Sequence, residues 1–428
     1  MPEIHRHILL GLFLITSVAA QPVRVEQRET SAGFELRRAG VPFFVRGAGG
    51  VQHLDRLAAC GANSVRTWGT DQTAEVMDRA QQVGLTVCAG LWIDHERNGF
   101  NYDDPVAVQA QIERHKRAVD RFKNHPALLL WAVGNEVEAR STNPKVWDTI
   151  EAVAAYIKRT DPNHPVMVVT AHVSAAAVTQ IRQRCPSVDL LGCNSYGGLG
   201  VLAQDVRKCG WPGPYLVTEW GSDGNWEVAK TPWGAEIEPT STEKAFQFAL
   251  RYPLILTDGQ RCLGSYAFYW GQKQETTPTW FNLYLEDGAE TEAIEVLQFL
   301  WSARSPAVLA PRITPLRLNG VGASAGLTVA SRTTVRAEFA FARGEPGDVR
   351  VKWALLPESR DKRSGGDREF RPEDLPLPTV ASTADRTGLN FPAPNQPGAY
   401  RLFVTVYGPG GKAATANFPF LVGPATKP

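Results

Sequence analysis

The amino-acid sequence predicts an α/β fold, a (β/α)8 TIM barrel followed by a C-terminal β-sandwich of the immunoglobulin or fibronectin type. Residues 42–301 alternate eight short apolar segments with amphipathic helical segments, which is the pattern of βα units around a parallel sheet. This stretch has the length of a TIM barrel, which takes roughly 250 residues. Beyond residue 315 apolar and polar residues alternate one by one, which is typical of antiparallel strands.

The eight predicted barrel strands share an apolar run that ends at small or polar residues. They cover residues 43–50, 62–68, 85–93, 128–136, 165–171, 189–197, 215–221 and 263–270. The predicted helices between and after them cover residues 71–83, 106–123, 144–159, 175–184, 242–252 and 290–301. The helix at 242 follows a Thr240-Ser-Thr-Glu243 sequence, which is a capping box.

The N-terminal residues 1–20 predict a secretory signal peptide. Arg6 precedes the apolar run Ile8–Ile15, and the small residues Val18–Ala20 offer a cleavage site before Gln21. We therefore expect a secreted or periplasmic protein that is not held in a membrane after cleavage. Residues 22–40 predict a β-hairpin that covers the bottom of the barrel.

The sequence divides after the barrel, which we assign to residues 21–302 together with the hairpin. Residues 303–315 are rich in proline and predict a linker, and residues 316–428 form the predicted β-sandwich. We expect this domain to be an accessory unit that supports the barrel or binds polysaccharide and carries no catalytic carboxylate. Its charged segment 357–378 predicts a solvated loop.

The overall charge and the metal-ligand types narrow the possible partners. A net charge of +1 gives no field that would attract nucleic acid or an anionic membrane. The cysteine and histidine spacings match no zinc motif, so we expect no metal and no cofactor. The twelve Trp residues instead favour a neutral ligand with flat faces, such as an oligosaccharide or polysaccharide.

Two glutamates occupy the positions where TIM-barrel enzymes carry their catalytic groups, the carboxyl ends of the strands. Glu136 ends the fourth predicted strand and Glu219 ends the seventh. Hydrolysis of a glycosidic bond needs such a pair, one carboxyl group protonated and the other ionised. For either glutamate alone, a salt bridge or a helix cap would be an equally good explanation.

The motifs around these glutamates resemble a known family. Asn135-Glu136 after the fourth strand, with Glu219 on the seventh, resembles the large clan of retaining glycosidases with (β/α)8 barrels. The runs Gly61–Trp68, Asn124–Leu128 and Trp131–Glu136 are similar to the catalytic barrel of glycoside hydrolase family 2. The resemblance covers residues 40–300.

The resemblance implies a role for each motif residue. Glu136 would be the general acid/base and Glu219 the nucleophile of a double-displacement reaction. Asn135 would hydrogen-bond the sugar 2-hydroxyl, and Arg66 would pair with Glu219, although an ordinary buried ion pair would also explain this arginine. Tyr196 would donate a hydrogen bond to Glu219, unless it only packs in the core.

Further polar and aromatic residues at strand ends are candidates for substrate binding. They are Trp68, Trp92, His95, His172, Asn194, Trp220, Trp226 and Trp270. Trp270 on the eighth strand is the expected stacking platform, and one or two of the other tryptophans are expected to be core residues. The long loop 221–239 is expected to cover the cleft with Trp226 and Trp233, and residues 272–280 would form a second wall. The loop 221–239 also carries four carboxylates, which are expected to be solvated or substrate-binding rather than catalytic: Asp223, Glu227, Glu236 and Glu238.

The sequence leaves three functions open. The first is a secreted retaining hydrolase of a β-linked glucan or related glycan. The second is a transglycosidase, which would use the same two glutamates and pass the glycosyl unit to a sugar. The third, from another class, is a non-catalytic glycan-binding surface protein, against which the intact set of Arg66, Asn135, Glu136 and Glu219 argues.

Overall fold

The computed structural model describes residues 21–342, 348–363, 365–377 and 387–424, and the predicted signal peptide lies outside these ranges. The described chain begins with a small antiparallel sheet of strands β1 (Val25–Thr30), β2 (Gly33–Arg38) and β3 (Val41–Pro42). Backbone amides of Val25 and Phe34 donate to Asn163 and Gln260, residues that precede two of the barrel strands. The hairpin therefore closes the end of the barrel at which the strands begin, as the sequence predicted.

The barrel consists of eight parallel strands in a closed ring. They are β4 (Val45–Gly49), β5 (Ser64–Arg66), β6 (Thr86–Leu91), β7 (Leu128–Asn135), β8 (Val166–Thr170), β9 (Leu190–Asn194), β10 (Tyr215–Trp220) and β11 (Cys262–Ala267). Each strand pairs with the next one along the chain, and β11 pairs with β4 to close the ring. The predicted TIM barrel is confirmed. Its strands are buried on both faces, which explains why their sequences are apolar almost without interruption.

The barrel helices lie between the strands and follow the last one. They are α1 (Leu54–Ala59), α2 (Thr73–Gln82), α3 (Pro105–Phe122), α4 (Lys145–Thr160), α5 (Ala175–Arg184), α6 (Leu202–Lys208), α7 (Ser241–Thr257) and α8 (Glu292–Ser302). The sequence did not predict α1 and α6, which have too few residues to show a helical period. The capping box at Thr240 and Glu243 is present, and α7 continues past Pro253.

The C-terminal region contains two sheets that share one hydrophobic core. Its strands are β12 (Glu290–Thr291), β13 (Arg317–Leu318), β14 (Thr328–Ala330), β15 (Thr334–Glu338), β16 (Arg350–Pro357), β17 (Gly388–Pro392), β18 (Gly398–Gly408) and β19 (Lys412–Gly423). One sheet has the order β12-β19-β18-β16, with β14 also paired to β19, and the other has the order β13-β15-β17. Phe391 of the small sheet and Phe420 of the large sheet are in contact within the core. The immunoglobulin or fibronectin type of this region remains a prediction.

The C-terminal region is attached to the barrel more closely than the sequence suggested. The first strand of its large sheet, β12, lies immediately before helix α8 of the barrel and pairs in parallel with β19. The linker is also fixed, because the backbone amides of Ala310 and Ile313 donate to side chains of Glu295 and Thr242.

The charged loop at 357–378, which the sequence predicted to be solvated, keeps an exposed ion pair between Arg371 and Asp374, but other charges of its described part contact the barrel. Asp367 pairs with Arg97 of the barrel, and Glu369 accepts a hydrogen bond from the backbone amide of Thr276. Lys362 pairs with Glu236, again across the two regions. These charges are paired with the barrel, which holds the segment against it.

Candidate active site

A cavity of about 780 Å³ lies at the carboxyl end of the barrel strands. This volume is in the range of small-molecule sites. Its lining includes both predicted glutamates, several aromatic residues and part of the C-terminal region. The lining residues are Trp68, Trp92, Asn135, Glu136, Ala171, His172, Tyr196, Glu219, Trp226, Phe268, Tyr269, Lys273, Gln274, Glu275, Gly365, Gly366, Arg368 and Glu369.

Glu219, near the end of β10, is a buried carboxylate that accepts three side-chain hydrogen bonds. Its Oε1 accepts from Arg66 Nη1 and from Trp68 Nε1, each at 2.9 Å. Its Oε2 accepts from the hydroxyl of Tyr196, also at 2.9 Å. The side chain of Arg66 is 1% exposed, so its charge acts on the carboxylate with little screening by water. Each oxygen of the Glu219 carboxylate therefore has at least one side-chain donor.

Arg66 and Asn135 connect the two glutamates. Arg66 Nη2 donates to Asn135 Oδ1 at 2.6 Å, next to its bond with Glu219. Asn194 Nδ2 lies 3.4 Å from the same oxygen and donates to Glu136 Oε1 at 2.6 Å. Two donors therefore fix the Asn135 amide with its oxygen toward Arg66, and its Nδ2 group points elsewhere.

Glu136 has a different environment from Glu219. It follows β7 with φ 52°, a left-handed conformation that is uncommon for a residue other than glycine. Burial raises the pKa of Glu136 to about 7, and the nearby charge of Glu219 contributes in the same direction. The hydrogen bond from Asn194 opposes this increase. Backbone strain of this kind is concentrated at functional sites.

Two more buried carboxyl groups lie near the pair, and the sequence analysis identified neither. Burial raises the pKa of Glu138 to about 7, and this residue also raises the pKa of Glu136. Glu275 lines the cavity and forms an ion pair of 2.6 Å with Lys273, yet burial still raises its pKa. Lys273 also lies over the rings of Phe268 and Tyr269.

Five of the predicted substrate-binding residues besides Asn135 line the cavity: Trp68, Trp92, His172, Tyr196 and Trp226. Trp226 is 59% exposed and packs edge-on against Tyr196, so part of its surface is free to meet a ligand. The predicted Arg66 and Asn194 are buried directly behind the glutamates. Arg66 donates to Glu219 and Asn194 donates to Glu136, which suits positioning of these carboxyl groups rather than contact with a ligand.

The placement of three predicted residues is corrected by the structure. Trp220 and Trp270 are fully buried, with Trp220 packed on Phe248 and Tyr252 of α7 and Trp270 packed near Trp301 of α8. Both indoles point toward the helices, so neither can be a stacking platform.

His95 is also too buried to reach a sugar, at 2% exposure. It contacts Arg97 and the ring of Trp92. Burial, and to a smaller extent the charge of Arg97, lower the pKa of His95 to about 4. It therefore supports the cavity wall from behind as a neutral side chain.

The four carboxylates of the loop 221–239 are held by protein groups. Asp223 pairs with Arg251, Glu236 with Lys230 and Lys362, and Glu238 with Lys244. Glu227 accepts from the backbone amides of Gly197 and Gly224. None of the four lines the cavity. Glu227 is exposed, as expected, and Asp223 is half-buried, whereas Glu236 and Glu238 are buried and so are not solvated.

The expected second wall at residues 272–280 contributes Lys273, Gln274 and Glu275 to the cavity lining, whereas the wall formed by the C-terminal region was not predicted. Phe268, Tyr269, Lys273, Glu275 and the residues 365–369 have no motif that marks them. The abundance of aromatic and charged residues just after the eighth strand was the available signal for the first group. For residues 365–369 the sequence carried no signal, since more than 100 residues of chain separate them from Glu219.

Three further observations on the described residues concern the cysteines, membrane-spanning helices and metal-binding clusters. All six cysteines are unbonded. Within residues 21–342, 348–363, 365–377 and 387–424, no helix is both long and apolar enough to cross a membrane. The same residues contain no cluster of three His, Cys, Asp or Glu side chains suited to a metal ion.

Comparison with known proteins relates the barrel to glycosidases. Residues 51–222 match the family model of the TIM barrel domain of glycosyl hydrolases family 2. The β-glucuronidase of Homo sapiens is 28% identical over 149 residues, which cover 34% of this chain and 21% of that protein. The β-glucuronidase of Rattus norvegicus is 26% identical over 224 residues, covering 49% of this chain and 33% of that protein. The β-galactosidase of Vibrio vulnificus strain YJ016 is 29% identical over 168 residues, covering 34% and 15%.

Solved structures show the same fold. The β-D-glucuronidase of Dictyoglomus thermophilum matches with a TM-score of 0.51 and 19% identity, covering 65% of this chain and 54% of that one. The family 2 β-galacturonidase of Eisenbergiella tayi, bound to galacturonate, matches with a TM-score of 0.51 and 17% identity, covering 66% and 54%. The chain spans about half the length of these structures and at most a third of the three curated relatives. The family model over residues 51–222 and the eight-stranded ring together show that the chain has a (β/α)8 barrel similar to the TIM barrel domain of glycosyl hydrolases family 2.

Proposed function

We propose that this protein is a retaining β-glycoside hydrolase in which Glu136 is the general acid/base and Glu219 the nucleophile. The observation that carries the proposal is the contrast between the two carboxyl groups. Glu219 accepts from a buried arginine, an indole and a phenol, which suits a carboxylate. Among the described residues, Glu136 accepts one side-chain hydrogen bond, from Asn194, and its pKa is raised to about 7, which suits a proton donor. Opposite protonation states of two neighbouring carboxyl groups are the basis of acid/base assignment in glycosidases.

In the first step the Glu219 carboxylate would attack the anomeric carbon from the side opposite the leaving group. The bond from that carbon to the leaving oxygen breaks, and its electron pair remains on the oxygen, which takes the proton of Glu136. Glu219 is then an ester of the sugar, and Glu136 is a carboxylate. Loss of the negative charge on Glu219 removes its contribution to the raised pKa of Glu136.

In the second step Glu136 would act as a base. Its carboxylate takes a proton from water, the water oxygen bonds to the anomeric carbon, and the ester bond to Glu219 breaks. Two inversions give net retention of the β-configuration. Arg66 and Trp68 stabilise the charge that returns to Glu219, because both donate to Oε1.

The fixed amide of Asn135 supplies a sugar contact. Its oxygen is held by Arg66, so Nδ2 is the group left to donate to the substrate. A hydrogen bond to the sugar 2-hydroxyl at this position would strengthen as positive charge develops on the ring. Trp68, Trp92 and Trp226 offer apolar surface for the sugar faces along the cavity.

For the substrate we propose a β-linked glucan or a related oligo- or polysaccharide. The names of the relatives, β-glucuronidase and β-galactosidase, support a β-glycoside as the class. We also propose that the protein acts outside the cytoplasm, secreted or periplasmic, because residues 1–20 have the composition of a signal peptide. A binding protein would have no need of the strained backbone and raised pKa at Glu136.

A panel of aryl β-glycosides and soluble β-glucans tests the proposal. We expect hydrolysis of at least one sugar type, with the β-anomer of the product formed first when the reaction is followed by proton NMR. First appearance of the α-anomer would show an inverting reaction and contradict the assigned roles. Binding without any turnover would favour the glycan-binding protein.

A further inference from the structure

Part of the active-site wall belongs to the C-terminal region. A methyl group at Gly365 would lie 3.3 Å from Oε2 of Glu136 and 2.5 Å from Nη2 of Arg97. Gly365 and its neighbour Gly366 both line the cavity, and both have left-handed backbone conformations, with φ 68° and 71°. Glycine adopts this conformation without strain, and the missing side chains let the backbone approach Glu136 closely.

Three contacts with the barrel hold residues 365–369, which we call the C-terminal wall. The carboxylate of Asp367 faces the guanidinium of Arg97 through two contacts of 3.3 Å, and the Arg97 side chain is only 6% exposed. Lys273 Nζ donates to the carbonyl oxygen of Gly366 at 3.3 Å. Glu369, which is buried, accepts from the backbone amide of Thr276 at 2.6 Å. The wall is therefore fastened to the rim of the barrel at several points along its length.

The orientation of Glu136 shows which part of the substrate would meet this wall. Its Oε1 accepts a hydrogen bond from Asn194, and its Oε2 is the oxygen that faces Gly365. If Glu136 is the acid/base, the leaving oxygen lies beside this carboxyl group when it receives the proton. The chain that continues from that oxygen then has the C-terminal wall as its neighbour.

We propose that the C-terminal wall forms the subsite for the leaving group, which is also the subsite for a sugar acceptor, and that Asp367 positions it through Arg97. The proposal rests on the proposed hydrolase function. It makes the C-terminal region part of substrate recognition, whereas the sequence predicted an accessory domain. In the reverse direction of the first step, a sugar hydroxyl replaces the leaving oxygen, so the same wall would contact an acceptor.

Competition between two acceptors measures this subsite directly. The donor is the β-glycosyl fluoride of the sugar that the aryl glycoside panel selects, and the acceptors are methanol and cellobiose in the same reaction. Both acceptors attack one glycosyl-enzyme and need the same base, but only cellobiose is large enough to use a subsite. The product ratio does not depend on the fraction of folded enzyme or on the pKa of Glu136.

For Asp367→Asn we expect the ratio of cellobiose transfer to methanol transfer to fall by about fivefold or more, the effect of losing roughly 1 kcal/mol of binding. Gly365→Ala should lower the same ratio, because its methyl group enters the space beside Glu136. The matched control is Asp374→Asn, which removes an exposed ion pair with Arg371 in the same segment and should leave the ratio unchanged.

Two results would contradict the proposal that the C-terminal wall forms this subsite. One is an unchanged ratio in both Asp367→Asn and Gly365→Ala. The other is a wild-type enzyme that transfers to methanol and never to cellobiose. In both cases the methyl glycoside still demonstrates the glycosyl-enzyme, so the proposed function stands. If the wild-type protein releases no fluoride from any donor of the panel, the proposed function itself fails.

Discussion

The two sides of the active site are built in different ways. The described donors on the Glu219 side are all barrel residues, and they come from strand β5, from the second residue after it, and from the segment after β9. Within the part of the chain that the structure describes, the Glu136 side has one side-chain donor, a strained backbone, and a wall contributed by the C-terminal region. A charged nucleophile needs a dense set of donors, whereas a proton donor needs a poorly solvated site. Residues 365–369, which are distant in sequence, help to make the site of Glu136 poorly solvated.

The largest effect is expected on the Glu219 side. Glu219→Ala should lower kcat/KM by roughly 10⁵-fold on every substrate, as removal of a nucleophile does in other covalent enzymes. Azide should then react directly with the substrate and give the α-glycosyl azide. The product is identified by NMR, and a β-azide from this variant would show that the two roles are reversed.

Glu136→Ala should have a smaller and more selective effect. Loss of acid/base catalysis costs typically 10²–10⁴-fold. Substrates with a very good leaving group should still form the glycosyl-enzyme, which accumulates because water lacks its base. Azide needs no base and should restore turnover as the β-glycosyl azide. If the variant is folded and equally slow on good and poor leaving groups, Glu136 is not the acid.

The contact between the C-terminal region and the barrel should also contribute to the stability of the folded protein, because buried charged groups lie at this contact. Arg401 is 2% exposed, pairs with Glu358 through two bonds and donates to the carbonyl oxygen of Glu236. Arg401→Met leaves the carboxylate of Glu358 without this partner and should lower the free energy of unfolding by about 3–5 kcal/mol.

Urea denaturation measures this change, and Arg336→Met provides the control. Arg336 pairs with Glu338 at an exposed position, and such pairs contribute about 1 kcal/mol or less. Equal losses in the two variants would mean that the buried contact does not stabilise the junction.

The smallest effect concerns the pH dependence. Glu136 must be protonated in the first step, so kcat/KM should fall as the pH rises past about 7, the pKa of this group. Asn194 donates to Glu136 and lowers that pKa, so Asn194→Ala should raise it and move the alkaline limb of the pH profile to higher pH. A limb that moves to lower pH would contradict this assignment. A glycosyl fluoride substrate, which needs little acid, should show a weaker limb in both proteins.

The sequence predicted the barrel because its βα pattern repeats eight times. It predicted both glutamates because each lies at the end of a predicted strand. It did not predict which face of a strand a tryptophan occupies. Barrel strands are apolar on both faces, so no alternation separates Trp68, which lines the cavity, from Trp220 and Trp270, which pack against helices.

The C-terminal wall escaped prediction for another reason. A run of charged residues has the same composition whether water or another part of the chain neutralises it. Asp367 meets Arg97 across 270 positions of sequence, and no local pattern records such a pairing. The contact depends on how the two regions pack, which only the folded structure shows.

The proline-rich linker has a consequence for how this protein could be recombined. It is the obvious joint in the sequence, yet Ala310 and Ile313 are bonded to barrel side chains, and β12 supplies the first strand of the C-terminal sheet. A chimaera joined at residue 311 would inherit a barrel with an unpaired strand and a sheet without its edge. The unit that can be exchanged between proteins, or inherited intact, is the whole of residues 21–424 rather than either half.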